Sequence, residues 1–303
     1  MQIEYQVVDV FTQTVLEGNA LAVFPDASSL PEETLQKIAR EFNISETAFV
    51  FPATRKDCAA RVRIFTPAHE MKFAGHPTVG TAFVMRQTGI VPMDLTAFAI
   101  EENIGPVSVR VDGSEDPIIW LRTPPIKQES TYHRATCATA LGLQETDLLP
   151  GVPCEIFSAG NPNLYVAVRD TERVDRASVD LAALRALNSP DGPVCVYVFA
   201  RAPQGAYARM FAPELGVVED PATGSAAGPL AAFMMAHGLV DGRDGSAFTI
   251  EQGTKMGRRS LLHVLIHGEK GSDGIEVGGH VVTLAQATLS LPVAQRAANA
   301  SAS

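Results

Sequence analysis

Glu46 sits in the run Asn43-Ile44-Ser45-Glu46-Thr47-Ala48-Phe49-Val50, where a polar stretch turns into an apolar strand. A carboxyl at the edge of an apolar segment is partly desolvated, which favours its neutral form and suits it to proton transfer near neutral pH. His76 follows Gly75 at the opening of an apolar run. A helix starting there has a dipole that disfavours the imidazolium, so the ring is expected to hydrogen-bond or pass protons as a neutral group. Asp220 lies in Glu219-Asp220-Pro221-Ala222-Thr223-Gly224-Ser225, ahead of a second such run. Two carboxyls and one imidazole are equipment for acid/base catalysis. The two carboxyls also have plain structural uses: Glu46 as an exposed helix-end residue, Asp220 as a turn aspartate. His69, His237, His263, His267 and His280 are read as surface or core residues.

Gly75-His76 and Gly224-Ser225 are candidates to bind an anion. The first turn of a helix leaves backbone N–H groups without partners, and the aligned peptide dipoles add roughly half a positive charge there. Glycine lets a ligand approach the backbone closely. Such a start holds a carboxylate without any basic cluster. One start in isolation reads as a simple helix cap; a matched pair facing one cleft reads as a site for a small anionic substrate.

The elements that position these residues are written twice. Gly18-Asn19 precedes one apolar run and Gly160-Asn161 another. Arg63-Ile64-Phe65-Thr66-Pro67 has a near copy in Arg209-Met210-Phe211-Ala212-Pro213, with Glu70 and Glu214 following. With Gly75 and Gly224 as the third pair, the offsets are 142, 146 and 149, in constant order. This pattern indicates duplication of an ordinary domain of roughly 125 to 150 residues. Strands are expected at 60–65, 117–122, 164–169, 193–200, 206–211, 260–266 and 280–291. Residues 31–42 make an amphipathic helix, with Pro31 at its first position and Leu35, Ile38, Ala39 and Phe42 on one face. The runs from Pro77 to about Gln87 and from Ala226 to His237 are apolar on nearly all sides, so both helices must be buried. Gly238 is a candidate C-cap for the second. The expected fold class is α+β: two pseudo-symmetric lobes, each a curved, mostly antiparallel sheet wrapped around a central buried helix.

Composition narrows the function. The formal charge of −10 argues against a nucleic-acid partner. Cys58, Cys137, Cys154 and Cys195 form no CxxC pair, so neither a zinc framework nor a disulfide scaffold is expected. Cys195, in Val194-Cys195-Val196-Tyr197-Val198, reads as a small core hydrophobe. No leader pattern precedes Ile3–Val10 and no apolar run is long enough for a membrane span, so a soluble, cytoplasmic protein is expected. Neither a Walker loop nor a GxGxxG behind a strand is present.

Several stretches together resemble the PhzF family of phenazine-biosynthesis isomerases, which share the diaminopimelate epimerase-like fold. They are Leu16-Glu17-Gly18-Asn19, Ile38-Ala39-Arg40-Glu41 with Ser45-Glu46, Ile64-Phe65-Thr66-Pro67, Phe73-Ala74-Gly75-His76-Pro77, Gly216–Asp220 with Gly224–Leu230, and Gln252-Gly253 with Gly257-Arg258. Ala20 and Arg259 stand where the family often has proline. The resemblance implies an N-terminal lobe of residues 1–126 joined by a C-terminal strand at 283–295, a second lobe of residues 127–282, and a frayed tail at 296–303. It implies a homodimer, no cofactor and no metal. The family reaction is isomerisation of trans-2,3-dihydro-3-hydroxyanthranilate, in which a glutamate takes a proton from one ring carbon and returns it at another. Carried over by motif, that glutamate is Glu46. His76 and Asp220 would polarise or protonate the substrate, and Ser45, Gly75, Gly224 and Ser225 would hold its carboxylate and other polar groups. The rival readings are a two-base racemase, epimerase or dehydratase on the same fold, and a non-catalytic carboxylate binder. The first generally carries a cysteine, sometimes a serine or threonine, at each helix start; this chain has His76 and Ser225 there, and none of its four cysteines. The second has no need of Glu46, His76 and Asp220 together.

Overall fold

The computed structural model describes residues 1–113, 116–188 and 192–291. The tail at 296–303 and the end of the 283–295 strand lie outside them. The first half runs β1 (Gln2–Val10), β2 (Asn19–Phe24), α1 (Glu32–Phe42), β3 (Glu46–Phe51), β4 (Ala60–Phe65), β5 (Glu70–Met71), α2 (Gly75–Gln87), β6 (Ala97–Glu102), β7 (Gly105–Val111) and β8 (Ile119–Arg122). The second runs β9 (Lys127–Tyr132), α3 (Arg134–Ala140), β10 (Cys154–Ser158), β11 (Pro162–Ala167), α4 (Thr171–Arg176), α5 (Leu181–Arg185), β12 (Cys195–Ala202), β13 (Gly205–Ala212), β14 (Val217–Asp220), α6 (Gly224–Ala236), β15 (Ala247–Gln252), β16 (Ser260–His267) and β17 (Gly274–Gly279). β18 (Val281–Ser290) closes the described chain.

Strand register makes the duplication explicit. β2 lies between antiparallel β1 and parallel β3, as β11 lies between antiparallel β10 and parallel β12. Thr47 pairs with Phe65 and Val196 with Phe211; Ile64 pairs with Met71 and Met210 with Asp220. β18 returns to pair with β1, while β9 pairs with β10, so each half carries one outer strand from beyond its own repeat. β8 and β17 pair across the middle, Leu121 opposite Val277, and join the halves into one sheet. The architecture is α+β, two lobes of curved and largely antiparallel sheet, each around one central helix.

Those helices are α2 and α6. Ten of the thirteen α2 residues and nine of the thirteen α6 residues are buried, as expected of a helix without a polar face. Both start earlier than the apolar run alone indicates, since the glycine ahead of each run is already helical. Gly238, with φ of +65°, ends α6 in the left-handed conformation. α1 packs Leu35, Ile38 and Ala39 inward, begins one residue after Pro31, and stops at Asn43, which is left-handed. Under it Tyr5, Phe24, Phe42, Phe49 and Phe65 form a chain of stacked and edge-on rings. Each fully buried ring contributes about 1.5–3 kcal/mol, which fixes β2 and β3 beneath α1.

One matched pair from the sequence needs correcting. Arg63 makes a two-pronged ion pair with Glu70, at 2.7 and 2.6 Å, but the corresponding partner of Arg209 is Glu219, at 2.8 Å on both prongs. Glu214 instead accepts from Arg185 and Asn188. Register decides this: Glu219 lies beside Asp220 on β14, the strand that answers to β5.

Candidate active site

The N-terminal ends of α2 and α6 meet head to head. A side-chain carbon added to Gly75 would lie 2.5 Å from the Gly224 carbonyl carbon and the Ser225 nitrogen. One added to Gly224 would lie 3.0 Å from the His76 nitrogen. Only glycine fits this approach, and it aims two sets of unpaired N–H groups at a common space. That space is a cavity of about 240 Å³ whose wall includes Ser45, Glu46, Gly75, His76, Asp220, Gly224 and Ser225. All seven residues singled out in the sequence therefore come together. Among the described residues no lysine or arginine lines it, so its positive potential comes from the helix ends.

Glu46 opens β3 beside β2, Leu21 opposite it, and reaches the start of α2. Its Oε2 is 3.2 Å from His76 Nε2. Both atoms are buried, and neither makes an aligned hydrogen bond among the described residues; they lie within reach of each other yet face the cavity. Burial, then the nearby Asp220 carboxyl, pushes Glu46 well above the usual carboxylate range. Burial drives His76 down to about 3, against the Ala20 carbonyl, which accepts from the ring. His76 is thus a neutral imidazole, with Asn19 Nδ2 3.3 Å from its Nδ1. Between His76 Nε2 and Glu46 Oε2, the burial that opposes charge on both favours a neutral ring beside a neutral acid.

Asp220 is surrounded differently. Its Oδ1 accepts from Asn19 Nδ2 at 2.8 Å and its Oδ2 from the Thr223 hydroxyl at 2.6 Å. Burial raises its pKa, while Thr223, Asn19 and the Ala222 N–H pull it back. Two carboxyls in one cavity share their titration, and the charge settles on the one with donors. Asp220 is that carboxylate and Glu46 the protonated partner. Asn19 spends both amide hydrogens here, since Nδ2 also donates to the Ala222 carbonyl at 3.0 Å. Its repeat counterpart Asn161 donates to the Phe73 carbonyl at 3.2 Å. Each half therefore reaches across to the loop ahead of the other half's central helix.

Several residues of the site escaped the sequence reading. His69, taken as a surface or core histidine, stands exposed at the cavity wall. Cys195, taken as a core hydrophobe, is 8 % exposed and also lines the cavity. Strand register explains it: Leu21 faces Glu46 as Asn163 faces Cys195, which makes Cys195 the repeat counterpart of Glu46. Burial lifts its thiol to about 11, with Asp220 adding to the effect. Asn163 is 2 % exposed, lines the same wall, and leaves Oδ1 without a protein partner among the described residues. Gln252, wholly buried, braces Asp220 through its carbonyl at 2.7 Å. The repeat Gly18-Asn19 and Gly160-Asn161 was the available signal for the asparagines. Nothing local marks Cys195. His263 and His267, four apart on β16, are roughly 13 Å apart along the strand and do not converge. Among the described residues no helix is long and apolar enough to cross a membrane.

Comparison with known proteins supplies the wider setting. The family described as phenazine biosynthesis-like protein matches residues 8–287. The trans-2,3-dihydro-3-hydroxyanthranilate isomerase of Pseudomonas fluorescens is 34 % identical over 95 % of this chain and 99 % of its own length. An uncharacterized isomerase of Mesorhizobium japonicum is 36 % identical over 94 % of this chain and 98 % of its own. The crystal structure of a Bacillus anthracis protein of the PhzF family superposes with a TM-score of 0.84, over 96 % of this chain and 100 % of that one, at 23 % identity. This last likeness is one of fold.

Proposed function

We propose a reaction for this chain, which belongs to the phenazine biosynthesis-like family and is an isomerase: Glu46 moves a proton between two carbons of a small cyclic carboxylate such as trans-2,3-dihydro-3-hydroxyanthranilate. The observation that carries this is the buried, unbonded Oε2 of Glu46 at the floor of the cavity, beside two convergent helix starts. The N–H groups at Gly75, His76, Gly224 and Ser225 hold the substrate carboxylate, with Ser45 as a further donor at the rim. Substrate binding brings cationic or hydrogen-bonding groups against Asp220, and Glu46 ionises as the substrate enters, its resting proton leaving to solvent before the cavity is filled. A carboxylate ionised where burial and a like charge oppose it is a stronger base than one in water. It takes the proton from one ring carbon. The electron pair passes through the ring's double bond towards the carboxylate, whose growing charge the fixed helix N–H groups stabilise. The same carboxyl returns the proton at a second carbon. His76 stays neutral and orients Glu46 through its Nε2.

A two-base epimerase needs a second base on the opposite face. The repeat places Cys195 opposite Glu46 in kind, and Ser225 opposite His76, yet the Cys195 thiol is held up at about 11 by burial. That favours one base over two. The test is turnover of trans-2,3-dihydro-3-hydroxyanthranilate, followed by absorbance, with Glu46→Gln as control. The expected outcome is turnover by the wild type and a loss of about 10³-fold or more in the variant, which keeps its fold and ligand binding. Retained turnover in Glu46→Gln removes Glu46 as the base. Wild-type binding without conversion leaves the cleft and rejects this substrate.

A further inference from the structure

Glu102 ends β6 as Gln252 ends β15. The strands read Ala97-Phe98-Ala99-Ile100-Glu101-Glu102 and Ala247-Phe248-Thr249-Ile250-Glu251-Gln252. Each runs parallel to the matching strand of its half, Ile100 opposite Ala60 and Ile250 opposite Ala206. Gln252 frames the start of α6. Its Oε1 accepts from the Thr223 N–H at 3.2 Å and the Tyr197 hydroxyl at 2.7 Å, and its Nε2 donates to the Thr223 hydroxyl at 3.0 Å. Glu102 has the same place behind α2. It is 5 % exposed, accepts from the Thr78 hydroxyl of α2 at 2.5 Å, and lies against the N–H of Ala74, the residue that answers to Thr223. Its Oε2 is buried with no protein partner among the described residues.

A charged carboxylate with one oxygen unsolvated and unbonded is costly, whereas the neutral acid has nearly the shape and polarity of the amide in the other half. Among the described residues no neighbouring charge offsets it. On β4, Arg63 is committed to Glu70 and Glu32, and Arg61 acts on Glu101 and Glu70. On β6 itself, Glu101 accepts from Thr54 and Arg55. On β7, Arg110 pairs with Glu276. On α2, His76 faces Glu46, and Lys72 in the preceding loop is exposed.

We propose that Glu102 is a positioning residue of the isomerase that works as a neutral acid, holding the start of α2, and with it Gly75 and His76, as Gln252 holds the start of α6. The proposal rests on the reading of that helix start as part of the site. Burial lifts Glu102 to about 8 from an ordinary 4.5. The folded protein therefore keeps this proton where the unfolded chain has lost it. The stability it contributes is complete below pH 4.5 and declines as the pH rises towards 8.

The experiment compares wild type, Glu102→Gln and Glu102→Ala by unfolding midpoint and by kcat and KM from pH 5.5 to 9.5. The wild-type midpoint is expected to fall with rising pH up to about 8, and the Gln variant to show a shallower slope. At pH 6.5 the Gln variant should retain the wild-type kcat within threefold, and above pH 8 it should lose less activity than the wild type. The Ala variant should lose about tenfold in kcat with KM changed less, because it loosens the helix start without removing the anion-holding N–H groups. Equal midpoint slopes for wild type and Gln overturn the proposal without reference to any substrate. An equal loss of kcat in Gln and Ala at pH 6.5 overturns it too. Failure of the substrate assay alone counts against the proposed reaction, and the midpoint slopes then decide the role of Glu102.

Discussion

Replacing Gly75 with alanine tests whether the two helix starts act as one device. The added carbon would sit 2.5 Å from two atoms of the Gly224–Ser225 peptide and 2.7 Å from the Gly224 Cα, where ordinary contact begins at 3.4 Å. The obstacles are backbone atoms of a buried helix, so no side chain can swing aside. The helix starts must part by about 1 Å, and a misplacement of that size costs about 10²-fold in rate. Overpacking costs about 1–3 kcal/mol, offset by up to about 1 kcal/mol from alanine's better helix propensity. Gly224→Ala meets its neighbours at 3.0 to 3.1 Å, a conflict of less than half the size, so its loss should be on the order of tenfold by the same reasoning. Gly113, with no heavy atom within 4 Å of an added carbon, is the control and should tolerate alanine. The assay is kcat/KM on the isomerisation together with the urea midpoint. A Gly75→Ala enzyme within threefold of wild type, or one no worse than Gly224→Ala, refutes the convergent-helix argument.

Two further measurements probe neighbouring parts of the site. His76, held at about 3 when folded and near 6.5 when unfolded, contributes stability that is complete above pH 6.5 and is lost as the pH falls towards 3. Between pH 7 and pH 5 the wild type should lose about 2 kcal/mol more than His76→Gln, read from denaturant unfolding; equal losses would mean that the ring is not buried as a neutral base. Asn19→Ala removes donors from the Asp220 carboxylate and the Ala222 carbonyl, so it should cost about 2–3 kcal/mol and depress turnover. Asn161→Ala, which loses only the bond to the Phe73 carbonyl, should cost about 1 kcal/mol, and a reversed ranking would contradict the assignment of the charge to Asp220.

Much of this was readable from residue order because the physics is local. A helix with no polar face must be buried, and a glycine ahead of one leaves its first N–H groups open; both hold whatever the rest of the chain does. The matched offsets from Gly18 to Gly160 and from Gly75 to Gly224 established two similar halves, and the chemistry of Glu46, His76 and Asp220 marked acid/base work. Strands β6 and β15 were missed because each ends in acidic or amide residues that read as surface, and their burial comes only from packing behind the central helices.

Roles that depend on two distant residues meeting were settled by tertiary structure alone. Asn19 bonds Asp220 across 201 positions, and no pattern within either stretch encodes that contact. Which carboxyl carries the charge follows from it, since Asp220 gains donors from Asn19 and Thr223 while the buried Oε2 of Glu46 gains none among the described residues. Cys195 looks like any thiol in an apolar strand until the register of β11 against β12 puts it in the place that Glu46 holds in the other half. Local sequence sets periodicity, helix ends and the kinds of group available. Register between strands far apart in the chain sets which of those groups share a cavity, and so which one holds a proton.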